Sequence, residues 1–354
     1  MEPTEYIKGR GAQLNPFNPF SKTEFTEAHV EAIDEKYVPN TKTQFFSETP
    51  KAFVNRITSP DVGMMYSANP YQGCEHGCIY CYARNSHQYW GFSAGLDFEQ
   101  KIIVKPDAPR LLEETLLSRS WRGETISFSG NTDCYQPIER KMKLTRQCLE
   151  VMLRYRNPVG LISKNQLMLR DIDILQDLAK MNLVHVMLSV TTLNEDLRLR
   201  MEPRTATGKN RLKVVEQLSK AGVPVGVMVA PIVPGLNSIE VPEILKQASE
   251  HGAYDAAFTV VRLNGAVGGI FTDWVKKTFP DAAQKILNDV ASCHGGGLND
   301  SRWSKRMVGD GPMAASIHDL FRIAKNKYFP THGFPPYNFE LFSRAAGKGQ
   351  LSIF

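Results

Sequence analysis

The sequence predicts an α/β protein built on a partial (β/α)6 TIM-like barrel, with an irregular arm before the barrel and an extension after it. From about residue 61 onward, short apolar runs alternate with amphipathic stretches, which is typical of a parallel sheet covered by helices. Polar residues or a proline stand at the end of each apolar run, as expected where parallel strands end at one shared mouth. The six runs are 62–67, 125–129, 159–163, 185–190, 225–230 and 257–262.

The helices predicted between these strands are supported by apolar spacing and by glycines at their ends. Leu178 and Ala179 follow Leu175 by three and four residues, so the three side chains share one helix face. Gly222 and Gly252 stand where helix C-caps are expected, because glycine adopts the left-handed conformation easily. The five predicted helices are 109–117, 145–155, 169–181, 210–221 and 241–251.

The chain divides into three predicted parts. Residues 1–60 are rich in Pro, Asn, Thr and Phe and show little periodicity, so we interpret them as a mostly irregular arm that wraps or caps the core. Residues 61–265 are predicted to form the barrel core. Residues 266–354 are predicted to form a helical, basic extension.

Positive charge is concentrated in the second half of this extension. In residues 301–354, eight Lys and Arg residues stand against three acidic residues. Such a region can bind nucleic acid, although it is more often a solvated surface. Arg302, Lys305 and Arg306 form its densest basic group and are the first candidates for phosphate contacts. Trp303, which lies between them, could instead anchor the segment to the barrel.

Composition is that of a large globular protein, with 354 residues, 42% hydrophobic and 22% charged. The first eleven residues are polar, so no signal peptide is expected. The most apolar stretch, 223–236, is interrupted by three prolines and is too short to span a bilayer. Six cysteines in a chain of this length do not indicate a disulfide framework. We therefore expect a cytoplasmic protein that does not associate with membranes.

Cys74, Cys78 and Cys81 form the most informative motif, a C-x3-C-x2-C run. Three thiolates within eight residues can face one metal centre, and thiolates are the usual ligands of iron–sulfur clusters. A [4Fe–4S] cluster held by three cysteines keeps one iron free for a small molecule. Two alternatives use the same residues: a zinc site completed by His76, and a redox pair of Cys78 and Cys81. However, no second Cys/His cluster follows in the sequence, and a redox pair leaves Cys74 unexplained.

This cysteine run, with Tyr80 before its last cysteine, resembles the cluster motif of the radical SAM enzymes. The resemblance implies a [4Fe–4S] cluster on Cys74, Cys78 and Cys81 that holds S-adenosylmethionine (SAM) by its amino and carboxylate groups. It also implies that an electron, from a donor such as flavodoxin or ferredoxin, cleaves SAM to a 5′-deoxyadenosyl radical that abstracts hydrogen from a substrate. The partial (β/α)6 barrel is the fold that this family implies.

Five further residues are implied as binding groups for the cofactor. Tyr80 occupies the family position that lies against the adenine. The residues around Thr132, Lys164 and Ser189 resemble cofactor-contacting strand ends of the spore photoproduct lyases, which are radical SAM enzymes of DNA repair. By this resemblance Thr132 and Ser189 bind polar groups of SAM, and Lys164 binds its carboxylate or ribose oxygens. Arg204 could pair with a carboxylate or a phosphate. The alternatives are packing for Tyr80, a solvent-facing charge for Lys164 and a structural salt bridge for Arg204.

Longer stretches resemble a bacterial family usually described as photolyase-like radical SAM proteins. These stretches are 69–78, 95–99, 133–140, 189–193, 202–204, 230–237 and 302–311. Relatives commonly have a proline where this chain has Cys134. The cysteine that returns a hydrogen atom to the product in spore photoproduct lyases aligns with Gly130. Cys134 is nevertheless a candidate catalytic residue, which would quench a radical from a shifted position. The alternative is that Cys134 is a buried structural thiol.

Together these features predict an enzyme that cleaves SAM reductively and acts on nucleic acid, with a lyase reaction of the DNA-repair type as the specific hypothesis. A radical SAM enzyme acting on a small molecule or a peptide is the second hypothesis. A non-catalytic metal-binding module is the third. Metal analysis separates the third from the others, because a cluster enzyme carries about four irons per chain and a zinc module carries one zinc.

Overall fold

The computed structural model describes residues 7–20, 42–331 and 333–345, and its strands form one seven-stranded and one three-stranded sheet. The ten strands are β1 (Gln44–Ser47), β2 (Val54–Arg56), β3 (Tyr66–Ala68), β4 (Tyr71–Gln72), β5 (Lys101–Val104), β6 (Ile126–Phe128), β7 (Val159–Ser163), β8 (Val184–Ser189), β9 (Val225–Ile232) and β10 (Ala256–Val260).

Twelve α-helices lie in the described residues. They are α1 (Arg84–His87), α2 (Leu96–Gln100), α3 (Ala108–Leu117), α4 (Glu139–Met142), α5 (Leu144–Tyr155), α6 (Ile172–Ala179), α7 (Glu195–Met201), α8 (Gly208–Lys220), α9 (Val241–Glu250), α10 (Ala266–Thr278), α11 (Ala283–Ser292) and α12 (Pro312–Tyr328). Short 3-10 helices span Gln88–Trp90, Gln166–Asp171 and Ser238–Glu240.

The larger sheet has the topology of the predicted partial barrel. Its six parallel strands neighbour one another in chain order, β3, β6, β7, β8, β9 and β10, and β2 pairs antiparallel with β3 at one edge. Because these six strands are parallel, their carboxyl ends all lie on the same side of the sheet, and each strand is joined to the next by a crossover connection. Val186 and Leu188 in β8, and Val225 and Val227 in β9, are fully buried, so one face of each strand packs into the core. The predicted (β/α)6 fold is thus confirmed.

Two predicted elements begin later than the sequence pattern indicates. Residues 62–65 of the first predicted strand form bends and irregular backbone, and β3 begins at Tyr66, which pairs with Ile126. Gly63 interrupts the run, because glycine weakens an extended strand. The predicted helix 169–181 begins inside a 3-10 helix that Asn165 caps by accepting a hydrogen bond from Leu167 N, and α6 covers only its middle.

The described part of the predicted arm contributes to both sheets. β1 pairs in parallel with β5, and β2 extends the barrel sheet. Near its beginning, the backbone N–H groups of Gly11 and Ala12 donate to the carboxylate of Glu99. Residues 1–6 and 21–41 of the predicted arm lie outside the described residues. The divisions at residues 60 and 265 stay predictions.

The segment after α12 covers the amino-terminal end of the barrel strands. The rings of Phe334 and Tyr337 stack on His185, with centroid distances of 4.6 and 3.8 Å. The Tyr337 hydroxyl donates to the carbonyl oxygen of Val159 at 3.2 Å. Val159 and His185 lie at or near the first residues of β7 and β8, so this contact is at the end away from the predicted mouth. None of the helices in the described ranges has the length and apolarity that a bilayer crossing requires.

Candidate active site

The cysteine run forms a tight loop after β4, near the carboxyl ends of the barrel strands. Gly73 and Gly77 adopt positive φ angles of 77° and 69°, which glycine tolerates and other residues rarely do. A Cβ at Gly73 would lie 2.9 Å from the carbonyl oxygen of Lys101, so the loop also needs glycine for close packing. All six cysteines have free thiols, and Cys74 and Cys78 are buried while Cys81 is half-buried.

His76, which would complete the alternative zinc site, is engaged by two other side chains. Its Nδ1 lies 3.3 Å from Asp133 Oδ2, and its Nε2 lies 3.2 Å from the side-chain amide of Asn165. Within the described ranges, no three His, Cys, Asp or Glu side chains converge as ligands of a single metal ion. A four-iron cluster makes a different demand, since its thiolates bind separate irons around a larger body. Three free thiols on one glycine-hinged loop fit that demand.

Burial controls the ionisation of the three thiols. Loss of hydration raises the pKa of Cys74, and the neighbouring Asp133 carboxylate raises it further. Burial likewise raises the pKa of Cys78 to about 12, against the opposing effect of the Lys164 ammonium. Burial also raises the pKa of Cys81, while Arg84 opposes the shift. These thiols need a strongly positive partner to become thiolates, which iron ions provide.

A buried ion pair supports the loop from below. Arg84 Nη2 lies 2.6 Å from Glu99 Oε1, and both side chains are fully buried. The Arg84 guanidinium also donates to the carbonyl oxygen of Cys78 from two of its nitrogens, at 3.0 and 2.9 Å. The second role of Glu99 is to accept the N–H groups of Gly11 and Ala12, at 3.1 and 2.7 Å. The pair thereby joins the cluster loop to the N-terminal arm.

Glu202 forms a second buried centre behind the loop. It accepts hydrogen bonds from the Tyr80 hydroxyl, from Thr191 Oγ1 at 2.7 Å and from the guanidinium of Arg211. Burial alone would raise the pKa of Glu202, but Arg211, Lys164 and these donors hold it at about 2. The ionised Glu202 carboxylate thus holds the hydroxyl of Tyr80, whose side chain is buried.

Asp133 forms a third centre and connects the ends of β6 and β7. Its carboxylate accepts the backbone N–H of Lys164 and the hydroxyl of Ser163, both at 2.8 Å, and the N–H of Tyr135. Burial opposes ionisation of Asp133, but His76 and these donors lower its pKa to about 2. The Asp133 carboxylate thus fixes the backbone of Lys164 and, through it, the position of the Lys164 Cα.

Lys164 and Tyr80, two of the predicted cofactor residues, lie near each other. The Lys164 ammonium lies 5.8 Å from the centroid of the Tyr80 ring, and it interacts electrostatically with Cys78 and Glu202. It makes no hydrogen bond or ion pair with the described residues. Burial acts to lower the pKa of Lys164, but its anionic neighbours outweigh burial and raise it. The Lys164 ammonium is thus half-buried and interacts with the Cys78 thiol, and its contact with SAM stays a prediction.

The other three predicted cofactor residues have different environments. Thr132 is buried, and its hydroxyl donates to the carbonyl oxygen of Tyr71 at 2.8 Å. Ser189 is buried at the end of β8, and its carbonyl oxygen accepts Arg211 Nη1 at 2.9 Å. Arg204 is exposed beside a cavity of about 400 Å³, and its backbone N–H donates to the carbonyl oxygen of His76. Contact of these residues with SAM stays a prediction.

Cys134, the candidate catalytic residue, is fully buried in the main hydrophobic core. Its carbonyl oxygen accepts the Thr145 hydroxyl at 2.6 Å, and burial raises the pKa of its thiol. This environment favours the alternative of a structural thiol, and the catalytic role of Cys134 stays a prediction. The position aligned with the lyase cysteine, Gly130, instead faces Tyr82, whose hydroxyl donates to the Gly130 carbonyl at 2.7 Å.

The basic group predicted for phosphate contacts is neutralised within the protein. Arg302 pairs with Asp300 and Asp310, and Lys305 pairs with Asp310. Arg306 pairs with Asp61 at 2.6 Å and stacks 3.9 Å over the ring of Trp303. Asp310 is one of the three acidic residues counted in 301–354, but Asp300 and the distant Asp61 lie outside that window, so a count of local charge does not include them. Arg262, at the end of β10, makes no ion pair or hydrogen bond with the described residues.

Comparisons with known proteins agree with the fold and the motif. Residues 68–248 match the family described as the Radical SAM superfamily. An uncharacterised protein of Mycobacterium tuberculosis is 30% identical over 238 residues, which cover 66% of this chain and 70% of that protein. An uncharacterised protein of Methanocaldococcus jannaschii is 26% identical over 252 residues, covering 71% of this chain and 90% of the relative.

Among solved structures, spore photoproduct lyase complexed with dinucleoside spore photoproduct superposes with a TM-score of 0.62. The two sequences are 16% identical, and the match covers 86% of each chain, so this likeness establishes the fold alone. A mutant of the same lyase has been solved with bound AdoMet. The protein belongs to the radical SAM superfamily, and its fold is related to that of spore photoproduct lyase. Membership implies a [4Fe–4S] cluster and SAM.

Proposed function

We propose that this protein is an enzyme that cleaves SAM reductively at a [4Fe–4S] cluster bound by Cys74, Cys78 and Cys81 and acts on nucleic acid. One observation carries the proposal: the three free thiols lie on a loop whose neighbour is the Lys164 ammonium, at the carboxyl ends of six parallel strands. The cluster and SAM, with an electron from a donor such as flavodoxin or ferredoxin, supply a 5′-deoxyadenosyl radical. A cytoplasmic location, which protects an oxygen-sensitive cluster, is part of this proposal.

The residues of the chain orient the cofactor and exclude water. The Lys164 ammonium offers hydrogen bonds to the carboxylate or ribose oxygens of SAM, and Asp133 fixes its backbone. Tyr80, held by Glu202, presents a ring face to the adenine. Thr132, Ser189 and Arg204 are the remaining candidates for the polar groups of SAM.

Replacement of Lys164 by Ala is expected to weaken SAM binding by about 1.5–3 kcal/mol, the usual value of a hydrogen bond to a charged group. Iron content should stay normal, because the cysteine ligands are unchanged. Lys180→Ala is the matched control, since Lys180 is exposed and pairs with Asp177 on the protein surface. Equilibrium binding of SAM to the three anaerobic proteins gives the comparison. Equal affinities in all three would remove Lys164 from the cofactor site.

Nucleic acid is the substrate class that we favour, on the basis of one structural neighbour and of the residues at the mouth. The related fold of spore photoproduct lyase has been solved with a dinucleoside photoproduct. At the mouth, Tyr82 is half-exposed and the Arg262 guanidinium lies near it. An aromatic ring can stack on a base and a free guanidinium can bind a phosphate. A small molecule or a peptide is the alternative substrate.

Arg262 therefore replaces the C-terminal basic group as the expected phosphate contact. Arg262→Gln should weaken binding of single-stranded DNA and reduce the slope of log affinity against log salt by about one unit. Arg302→Gln is the control, because Arg302 is already paired with Asp300 and Asp310. Fluorescence anisotropy across a salt series measures both. A larger loss of DNA affinity in Arg302→Gln than in Arg262→Gln would indicate that nucleic acid binds the C-terminal extension and not the residues around Arg262.

The decisive experiment follows hydrogen from the substrate. Anaerobic protein with SAM and a reductant should form 5′-deoxyadenosine and contain about four irons and four sulfides per chain. Deuterated oligonucleotides, peptides and small metabolites are then offered separately, and deuterium in 5′-deoxyadenosine identifies the class that reacts. Transfer from a peptide or a metabolite, and none from DNA or RNA, would overturn the nucleic-acid assignment while leaving the radical chemistry. One zinc and no iron would overturn the chemistry itself.

A further inference from the structure

A small polar cavity lies at the carboxyl ends of the first two barrel strands. Its volume is about 100 Å³, several times that of one water molecule. Its walls come from β2, from β3 and the residues that follow it, from Asn131 after β6, and from Lys105 after β5. We call it the Lys105 pocket. Its lining includes none of Cys74, Cys78 and Cys81 and none of the residues assigned above to SAM, but it adjoins both groups, since Gln72 lies two positions before Cys74 and Asn131 directly before Thr132.

The amide groups on one wall of this pocket are already satisfied by one another. Asn131 Nδ2 donates to Gln72 Oε1 at 2.7 Å, Gln72 Nε2 donates to Ser86 Oγ at 2.6 Å, and Ser86 Oγ lies 3.1 Å from Asn131 Oδ1. Asn69 is also engaged, since its Oδ1 accepts Tyr71 N and its amide donates to the Thr132 carbonyl. This wall is rigid and is tied to α1, directly after the cysteine loop.

Three other groups of the pocket keep donor capacity. Asn55 and Ser67 are directly opposite each other in the antiparallel pair of β2 and β3, so their side chains share one face. Ser67 Oγ makes no hydrogen bond with the described residues, and Asn55 uses one amide hydrogen, on the Phe53 carbonyl at 3.3 Å. The Lys105 ammonium donates only to the Asn69 carbonyl, at 3.1 Å.

Lys105 is a partly buried cation without a counter-ion. No carboxylate of the described residues lies within ion-pair distance of its Nζ. Burial lowers the pKa of Lys105 to about 8, and no charged neighbour contributes to the shift. Charges removed from water are normally paired, because their desolvation is otherwise uncompensated. Together, this ammonium, the Ser67 hydroxyl and the Asn55 amide form a set of donors suited to an anion with several oxygens.

We propose that the Lys105 pocket is a subsite for a phosphate group of the substrate, bound by Lys105, Ser67 and Asn55. Lysine binds phosphate as a point charge, and neutral donors supply the remaining hydrogen bonds. The pocket adjoins the mouth, since Ser67 lies against Gly130, where a Cβ would come within 2.9 Å of Ser67 Cβ. A phosphate held here places the attached sugar and base towards Tyr82, whose hydroxyl bonds to Gly130.

The phosphate can come from a nucleic-acid backbone or from a free phosphorylated molecule. A nucleic-acid source of the phosphate rests on the proposed function, whereas the assignment of the pocket as a phosphate site does not. The test uses cluster-loaded anaerobic protein in buffer without phosphate or sulfate. Inorganic phosphate, the dinucleoside monophosphate of thymidine, and thymidine are titrated separately, with affinity and melting temperature as readouts.

Lys105→Gln, Lys105→Arg and Lys101→Gln are compared with the unaltered protein. Lys101 is the control, because it lies four residues earlier and already pairs with Asp97 at 3.1 Å. We expect phosphate to bind the unaltered protein, Lys101→Gln and Lys105→Arg, and to bind Lys105→Gln at least tenfold more weakly. Without phosphate, Lys105→Gln should melt no lower than the unaltered protein, because an uncompensated charge has been removed.

The outcomes separate the pocket from the proposed function. Equal phosphate affinity in Lys105→Gln, or no phosphate binding by the folded unaltered protein, would overturn the subsite. A lower melting temperature of Lys105→Gln without phosphate, not rescued in Lys105→Arg, would make Lys105 a structural residue and also overturn it. Phosphate binding through Lys105 with no advantage of the dinucleoside monophosphate over thymidine would keep the subsite and reject nucleic acid as its source.

Discussion

Replacement of Cys74, Cys78 or Cys81 by Ala is expected to remove the iron–sulfur absorbance of the protein and all reductive cleavage of SAM. Each thiolate binds one iron, and the fourth iron has no protein ligand. Loss of any one cysteine therefore leaves a second iron without a protein ligand, and we expect the cluster to be lost. The described residues offer no nearby histidine as a substitute, because His76 is held by Asp133 and Asn165. Absorbance, iron content and 5′-deoxyadenosine formation measure the effect.

Cys148→Ala and Cys293→Ala are the controls for this prediction. Both thiols are fully buried, Cys148 in α5 and Cys293 directly after α11. Their replacement should lower stability modestly, as loss of a small buried side chain does, and should leave the iron content unchanged. Loss of iron from Cys148→Ala, with the fold intact, would contradict the three-ligand assignment.

Replacement of Glu99 by Ala is expected to lower the free energy of unfolding by about 3–5 kcal/mol, the usual effect of breaking a buried ion pair from one side. Arg84 would stay in the interior without its anion, and the N–H groups of Gly11 and Ala12 would lose their acceptor. Denaturant unfolding of the cluster-free protein measures the change without the contribution of bound iron.

Glu114→Ala provides the comparison for Glu99→Ala. Glu114 also pairs with an arginine, Arg110 at 2.6 Å, but both side chains are more than half exposed. Exposed pairs contribute about 0–1 kcal/mol. Similar losses in the two variants would show that Glu99 is no more than an ordinary charged residue, and the connection between arm and loop would have to be explained differently.

The barrel could be predicted from the sequence because its determinants are local. The strands are short runs of Val, Ile and Leu, and parallel order follows from the helices between them. The cysteine motif is local as well, since its three ligands lie within eight residues. The sequence predicts the start of the first strand four residues too early because Val62 and Met64 are apolar, although they lie in bends and irregular backbone before β3.

The buried polar centres could not be predicted, because their partners are far apart in sequence. Glu202 receives the Tyr80 hydroxyl across 122 positions, and Asp61 lies 245 positions before Arg306. Counting charges within the extension predicted a basic surface at Arg306, and the fold supplies the acid that neutralises it. The run 202–204 resembles the family, so the sequence marks Glu202 as a residue of interest. The sequence does not indicate that Glu202 accepts a hydrogen bond from Tyr80.

The contact between Gly11 and Gly77 has a consequence for how the enzyme matures. A Cβ at Gly11 would overlap the carbonyl oxygen of Gly77, so the first described segment and the cysteine loop meet backbone to backbone. We therefore expect the cysteine loop to reach its final shape only when Gly11 and Ala12 have packed onto the loop and onto Glu99. Iron delivery belongs after that step. Trimming of the first twelve residues during expression would then be detected as colourless, iron-poor protein, although every cysteine is present.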